Sequence, residues 1–136
     1  MFEKFSEEAI KVIMHAQEEA RILKHRHVGC EHLLLGLVAG GQDTASYRLI
    51  SSVGLDLNKL REAVEKAHKK GTKASPKEMP FDREAKIVLE NAFRVMMNSK
   101  QTIISSEHLL LGLLVSDENN AIKVLEELGV TRNDFS

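Results

Sequence analysis

Between residues 25 and 32 the chain gathers His25, His27, Cys30, Glu31 and His32, its densest cluster of side chains able to do chemistry. Imidazole and thiolate are zinc ligands, but a structural zinc site needs ligands converging tetrahedrally from suitable spacings. The pattern His-x-His-x-x-Cys-x-His fits none of these, and 76 residues later Gln101 and Ile103 stand where His25 and His27 would recur. No metal site is expected. Cys30 has no nucleophile motif around it and reads as a small buried side chain. A Gly-x-x-x-x-Gly-Lys-Ser/Thr phosphate loop is absent, and no nucleophile–base pair can be drawn, so neither a catalytic residue nor a cofactor is expected. What remains is Glu31 with His32, which returns as Glu107 with His108. A carboxylate at a helix start is favoured by the helix dipole alone, by ~0.3–1 kcal/mol, so these glutamates have a structural as well as a ligand-binding reading. The histidines, set beside an apolar run, read as structural side chains hydrogen-bonded within the fold.

The return is part of a larger one. Glu31-His32-Leu33-Leu34-Leu35-Gly36-Leu37 recurs as Glu107-His108-Leu109-Leu110-Leu111-Gly112-Leu113, and the same offset of 76 pairs Phe5 with Phe81, Ala9 with Ala85, Val12 with Val88, Ala16 with Ala92 and Val28 with Ile104. Beyond the motif the offset becomes 75, aligning Val53-Gly54-Leu55 with Leu128-Gly129-Val130. The chain is a duplication, with a period too long for a heptad or a short solenoid repeat.

The elements that carry these residues are helical. Phe5, Ala9, Val12, Ile13, Ala16, Ala20 and Leu23 recur at steps of three and four, predicting a helix over about 7–24 with Ser6 as its N-cap. Leu33 to Val38 is apolar all round and predicts a short buried helix ended by Gly40-Gly41. Ala45, Leu49, Ile50 and Val53, closed by Gly54, give a third stripe, and Leu57, Leu60, Val64 and Ala67 a fourth. From Lys69 to Pro80 the sequence loses all period and carries two prolines and four lysines, which reads as a solvated linker. Met79 with Phe81 beside it is the candidate for an exposed apolar contact, whereas Met96 falls on a core position. The second repeat runs through 81–97, 107–115 and 119–128, leaving only Thr131 to Ser136 where a last helix would begin. The expected fold is all-α: repeat one over 5–68, a linker over 69–80 and repeat two over 81–136. The two pseudo-symmetric four-helix repeats should pack as one domain, with the last helix truncated or missing.

With 19 basic against 20 acidic side chains there is no positive field to gather nucleic acid or an anionic membrane, and neither is expected as a partner. No apolar run approaches the ~18 residues of a membrane-spanning helix. The N-terminus lacks the cationic and apolar pattern of a signal peptide, so the expected compartment is the cytoplasm, or the plastid stroma if a transit peptide was removed.

A doubled helical repeat whose halves each carry Glu-His-Leu-Leu-Leu-Gly-Leu after a short loop resembles the Clp N-terminal domain of Hsp100 unfoldases. The intact motif in both halves, the Phe5-Ser6 opening and Ala16-Gln17-Glu18-Glu19-Ala20 bring it nearest to the ClpC type. The resemblance implies a domain that receives substrate proteins and adaptors, and passes them to ATPase modules that feed the ClpP protease. The alternative it leaves is a stand-alone Clp-repeat accessory protein that regulates such a complex. It further implies phosphoarginine pockets in which a glutamate meets the guanidinium and a hydroxyl-capped helix start meets the phosphate. Carried onto this sequence, the first pocket is Ser6 with Glu31 and the second Asp82 with Glu107, the second departing from the pattern because Asp82 has no hydroxyl and bears a like charge.

Overall fold

The structure is a computed structural model and describes residues 2–136. It contains seven α-helices in two sets: α1 Glu7–Ile22, α2 Cys30–Ala39, α3 Ala45–Ser52 and α4 Leu57–Ala67, then α5 Arg83–Asn98, α6 Ser106–Val115 and α7 Asn120–Glu127. A 3₁₀ turn, Arg132–Phe135, stands where an eighth helix would begin, and no strand occurs among the described residues.

The first helix of each repeat starts and stops by the same chemistry. Ser6 accepts the Ala9 N–H at 3.1 Å and Asp82 accepts the Ala85 N–H at 2.9 Å, each satisfying one orphan donor of a first turn. Both helices end in a left-handed lysine, Lys24 at φ 55° and Lys100 at φ 58°. The reversed chain then donates His25 N–H to Ala20 C=O and Gln101 N–H to Met96 C=O, the longer bond of a Schellman motif. His25 and Gln101 are thereby fixed in the same place in the two repeats.

The repeated glycine explains why the motif is kept whole. A Cβ at Gly36 would lie 2.4 Å from Val12 O and 2.9 Å from Ala16 N, and one at Gly112 2.8 Å from Val88 O. These are the points where α2 crosses α1 and α6 crosses α5 with backbones in contact, so only glycine fits. Around the crossings Leu33, Leu34, Leu35, Leu37, Leu109, Leu110 and Leu113 fill one continuous core. The equivalent leucines differ at one point: Leu35 is fully buried, whereas Leu111 is 43% exposed. Helix α4 packs on α2 and α7, but the 3₁₀ turn supplies no such helix over α6.

The repeats interlock reciprocally. Phe5 forms a parallel bridge with Ile104, and Val28 one with Phe81. Under the offset of 76 each bridge is the image of the other, as a pseudo-two-fold axis requires. Residues 69–80 are fastened rather than loose. Gly71 N–H donates to Leu23 C=O at 2.8 Å, Ser75 Oγ to His25 C=O at 2.6 Å and Val28 N–H to Pro80 C=O at 2.8 Å. The lysines there are exposed as expected, but Met79 is a correction: only 6% exposed, it joins the core next to the Val28–Phe81 bridge. Met96 is buried as expected.

Candidate functional site

The reciprocal bridges decide which helix starts meet. Ser6 N–H donates to Ile104 C=O at 2.9 Å, placing the start of α1 against the start of α6, and Asp82 N–H donates to Val28 C=O at 2.9 Å, placing the start of α5 against that of α2. The pairing of Ser6 with Glu31 and of Asp82 with Glu107 expected from the sequence is therefore exchanged. The α1/α6 site holds Ser6 and Glu107, and the α2/α5 site holds Asp82 and Glu31. An offset within the sequence identifies equivalent positions, whereas a two-fold axis sets each repeat's first helix beside its partner's second.

The α2/α5 site is the more enclosed. Glu31 lies in the first turn of α2, with its side chain 3% exposed and its Oε2 accepting from His68 Nδ1 at 3.2 Å and from Asn120 Nδ2 at 3.3 Å. Its other oxygen, Oε1, is buried with no hydrogen-bond partner. A Cβ at Gly29 would lie 2.3 Å from that Oε1 and 2.8 Å from Asp82 Oδ2, so the two carboxylate oxygens are at most about 5 Å apart, separated by a glycine that leaves room. Glu31, Asp82 and Gly29 line a cavity of about 220 Å³ whose lining also includes Lys24, Arg26 and Lys69. Burial raises the pKa of Asp82 above its ordinary value and the Glu31 charge adds to this, against the lowering effect of its bond to the Ala85 N–H. Burial, reinforced by the same two carboxylates, pushes the Cys30 thiol well up, so Cys30 is an inert core thiol.

Beneath this site runs a histidine relay whose proton positions follow from its partners. Gly29 N–H donates to His32 Nδ1 at 2.8 Å, which puts the His32 proton on Nε2. That Nε2–H donates to His25 Nδ1 at 2.8 Å, which puts the His25 proton on its own Nε2, facing the carbonyls of His68 at 3.1 Å and Lys69 at 3.0 Å. Both rings are neutral in this arrangement. In accord with it, burial above all pushes His32 down to about 4 and His25 down from its ordinary value. Ring nitrogens of His25, His32 and His68 come within 4.8 Å of one another, close enough to suggest a metal centre. The donor chemistry argues against it. Coordination through His32 Nε2 would move the proton to Nδ1, against the Gly29 N–H, and the His25 and His68 rings stack at 3.5 Å with their planes 9° apart, so their in-plane lone pairs do not converge. His27, drawn into the cluster from spacing, is exposed and outside it. In repeat two Ser105 N–H donates to His108 Nδ1 and His108 Nε2–H to Gln101 Oε1, so an amide replaces the second imidazole.

The α1/α6 site is more open. Glu107 is exposed where Glu31 is buried, and the caps of α6 and α2 are Ser105 and Gly29. Glu8 Oε1 turns toward α6, accepting from Ser106 N–H at 3.2 Å and Ser106 Oγ at 3.3 Å. Ser6 Oγ uses a lone pair on Ala9 and keeps its proton for another acceptor. Three residues were not foreseen: Asn120, His68 and Glu8. Asn120 and His68 arrive from distant elements, whereas Glu8 lies two residues from Ser6 in the first turn of α1 and is singled out only by its bonds to Ser106.

The family profile described as the Clp repeat N-terminal domain matches residues 4–128. The chloroplastic chaperone protein ClpC1 of Oryza sativa subsp. japonica is 46% identical over 135 residues, covering 99% of this chain and 15% of that protein. The chloroplastic ClpC1 of Arabidopsis thaliana is 47% identical over 129 residues, covering 95% and 14%. The chain thus spans about 15% of the length of these relatives. Among solved structures, the N-terminal domain of ClpD from Arabidopsis thaliana superposes with a TM-score of 0.84 at 35% identity, covering 99% of this chain and 94% of that one. The Hsp104 N-terminal domain of Candida albicans shares the fold at a TM-score of 0.79 and 21% identity, covering 98% and 87%. The duplicated motif, the reciprocal helix pairing and these matches agree: the chain belongs to the Clp repeat N-terminal domain family.

Proposed function

We propose that this chain is the substrate- and adaptor-recognition domain of a ClpC-like ATP-dependent unfoldase that delivers proteins to the ClpP protease, and that its α1/α6 site recognises phosphoarginine. The observation that carries the finer reading is the pairing of a hydroxyl-capped helix start, Ser6, with the helix start bearing Glu107. A helix N-terminus with a free hydroxyl proton suits a phosphate, and a carboxylate suits the guanidinium it is attached to. Polypeptide binding on this fold has a precedent in the solved complex of the ClpV N-domain with a VipB peptide. ATP turnover belongs to modules outside this domain. The chloroplastic relatives support a plastid compartment.

The test is to titrate the chain with phosphoarginine, arginine and phosphate while following backbone amide shifts. Phosphoarginine should move the amides of Ser6 and Glu107, and Glu107→Ala should remove the response. Absence of any shift at those two residues, or an unchanged response in Glu107→Ala, would discard the phosphoarginine reading.

A further inference from the structure

The balance of 19 basic against 20 acidic side chains over the whole chain hides a strong local asymmetry. Residues 20–30 and 66–77 together carry eight Lys and Arg and no Asp or Glu, which leaves 11 basic against 20 acidic side chains on the rest of the molecule. All eight are exposed, and among the described residues none of them forms an ion pair. The fold joins the two segments into one face. Gly71 N–H donates to Leu23 C=O, and a Cβ at Gly71 would collide with Lys24 O, so the glycine seats the later segment directly on the turn at Lys24. Ser75 Oγ donates to His25 C=O at 2.6 Å, Arg21 Nη2 to Lys77 C=O at 2.8 Å and Arg26 Nη1 to Ala74 C=O at 3.0 Å. Two carboxylates lie close beneath: Glu31, already paired with His68 at 3.2 Å, and Asp82, which caps α5. Counting both against the eight cations still leaves six positive charges in excess. Hydrogen bonds thus hold together cations that repel one another within a Debye length of about 8–10 Å.

We infer that this face docks an acidic segment of a partner polypeptide, with Asp and Glu side chains meeting the lysines of residues 66–77 and the cations of the 20–30 turn. The inference rests on the reading of this domain as a receptor for polypeptides, and adds to it a surface of different chemistry. Two features of the face favour a polypeptide over a nucleic acid. Neither segment carries a Phe, Tyr or Trp on which a base could stack. Arg21 and Arg26 already donate to backbone carbonyls, which removes N–H groups from the planar forks that grip a phosphate. The other cations are lysines, point charges that meet carboxylates with little demand on geometry. Because the backbone beneath them is fastened, an acidic segment meets a surface that needs little further ordering. The negative remainder of the molecule turns such a segment away from the other faces and steers it to this one.

A blocked decapeptide of alternating Glu and Gly, and its Gln counterpart, test this by amide shifts on the whole chain. The Glu peptide should move Lys24, Arg26, Lys70 and Lys73 and bind at least about tenfold more tightly than the Gln peptide. Its affinity should fall at least about tenfold between roughly 50 and 300 mM salt, as screening shortens the reach of the face. The triple variant Lys70→Gln, Lys73→Gln, Lys77→Gln should lose at least about tenfold in affinity. A second triple variant, Lys11→Gln, Lys59→Gln, Lys123→Gln, makes the same change of net charge at exposed positions outside the face and should stay within about twofold of the unmodified chain. Equal losses in the two triple variants would overturn the inference, because net charge alone would then account for the binding. Tighter binding of a thymidine decanucleotide or of phosphatidylglycerol vesicles at these amides would also overturn it. So would shifts of the same amides with the concentration of the chain itself, which would assign the face to a second copy. Phosphoarginine is read at Ser6 and Glu107, so either reading can fail without the other.

Discussion

Acidification should destabilise this domain well before its ordinary carboxylates titrate, and the histidine relay sets the size of the effect. Protonating His25 or His32 places a second N–H in the 2.8 Å gap between the rings, or turns His32 against the Gly29 N–H that fixes it. Burial is the main cause of the low His32 value of about 4, opposed in part by the Glu31 charge, against an ordinary 6.5. The unfolded chain therefore binds more protons than the folded one between these two values. The relay's contribution is complete above pH 6.5 and is lost as the pH falls toward 4. For this single group the loss is about 2 kcal/mol by pH 5 and about 3 kcal/mol by pH 4, a large part of the ~5–15 kcal/mol that holds a domain together. Urea unfolding followed by circular dichroism at pH 7.5, 6.5, 5.5 and 5.0 measures it. His25→Gln is the control, because Gln101 shows that an amide oxygen accepts the same imidazole proton in repeat two and does so at any of these pH values. That variant should lose less stability than the unmodified chain over the same interval, since His25 also carries a lowered pKa. A stability that stays flat to within about 0.5 kcal/mol from pH 7 to 5, or a His32 ring that titrates near 6.5 by NMR, would refute the tautomer assignment.

Other perturbations follow from the same geometry. Gly36→Ala sets a methyl 2.4 Å from Val12 O and should cost about 3 kcal/mol or more in thermal unfolding, against ~1–2 for Gly112→Ala, where the nearest atom is 2.8 Å away; equal costs would deny that the α1–α2 crossing is the tighter. Arg61 holds the buried Glu19 by two bonds at 2.8 and 2.6 Å, so Arg61→Ala should destabilise by ~2 kcal/mol, and adding Glu19→Leu should recover most of it because no orphaned carboxylate remains. Cys30 should resist thiol reagents at pH 8 in the native chain and react fully in urea, since its thiol is buried and its pKa raised; rapid native labelling would contradict the packing.

The helices were legible because each buries one face, and steps of three and four residues survive in the sequence whatever the partner. The duplication was legible for the same kind of reason: both copies of Glu-His-Leu-Leu-Leu-Gly-Leu meet the same constraint, a backbone crossing at Gly36 or Gly112. Partnership between the copies was not. Nothing in the offset says that Phe5 pairs with Ile104 and Phe81 with Val28, so the sequence joins helix starts that the fold keeps apart. Met79 misled in another way: it sits in an aperiodic, lysine-rich stretch, and only the docking of that stretch on Val28 takes it out of water. His68 and Asn120 gave no signal at all, being the C-cap of α4 and the first residue of α7, positions that polar residues occupy without reference to any ligand.

Reciprocal pairing also accounts for how two sites of common origin come to differ. In a strict two-fold the α2/α5 and α1/α6 junctions would be identical, and each would combine one residue from either repeat. A single substitution therefore alters one site only, without touching its twin: Asp82 changes the α2/α5 site while Ser6 leaves the α1/α6 site a hydroxyl. The asymmetry of the last helix works in the same direction. Helix α4 ends beside α2 and brings His68 to Glu31, burying that carboxylate, whereas the 3₁₀ turn at 132–135 brings no equivalent residue to Glu107, which remains exposed. One carboxylate is thereby buried, where charge pairing is strong, and the other stands at the surface, where solvent screens it. The two junctions therefore differ in dielectric and in donor chemistry, with the fold itself unchanged.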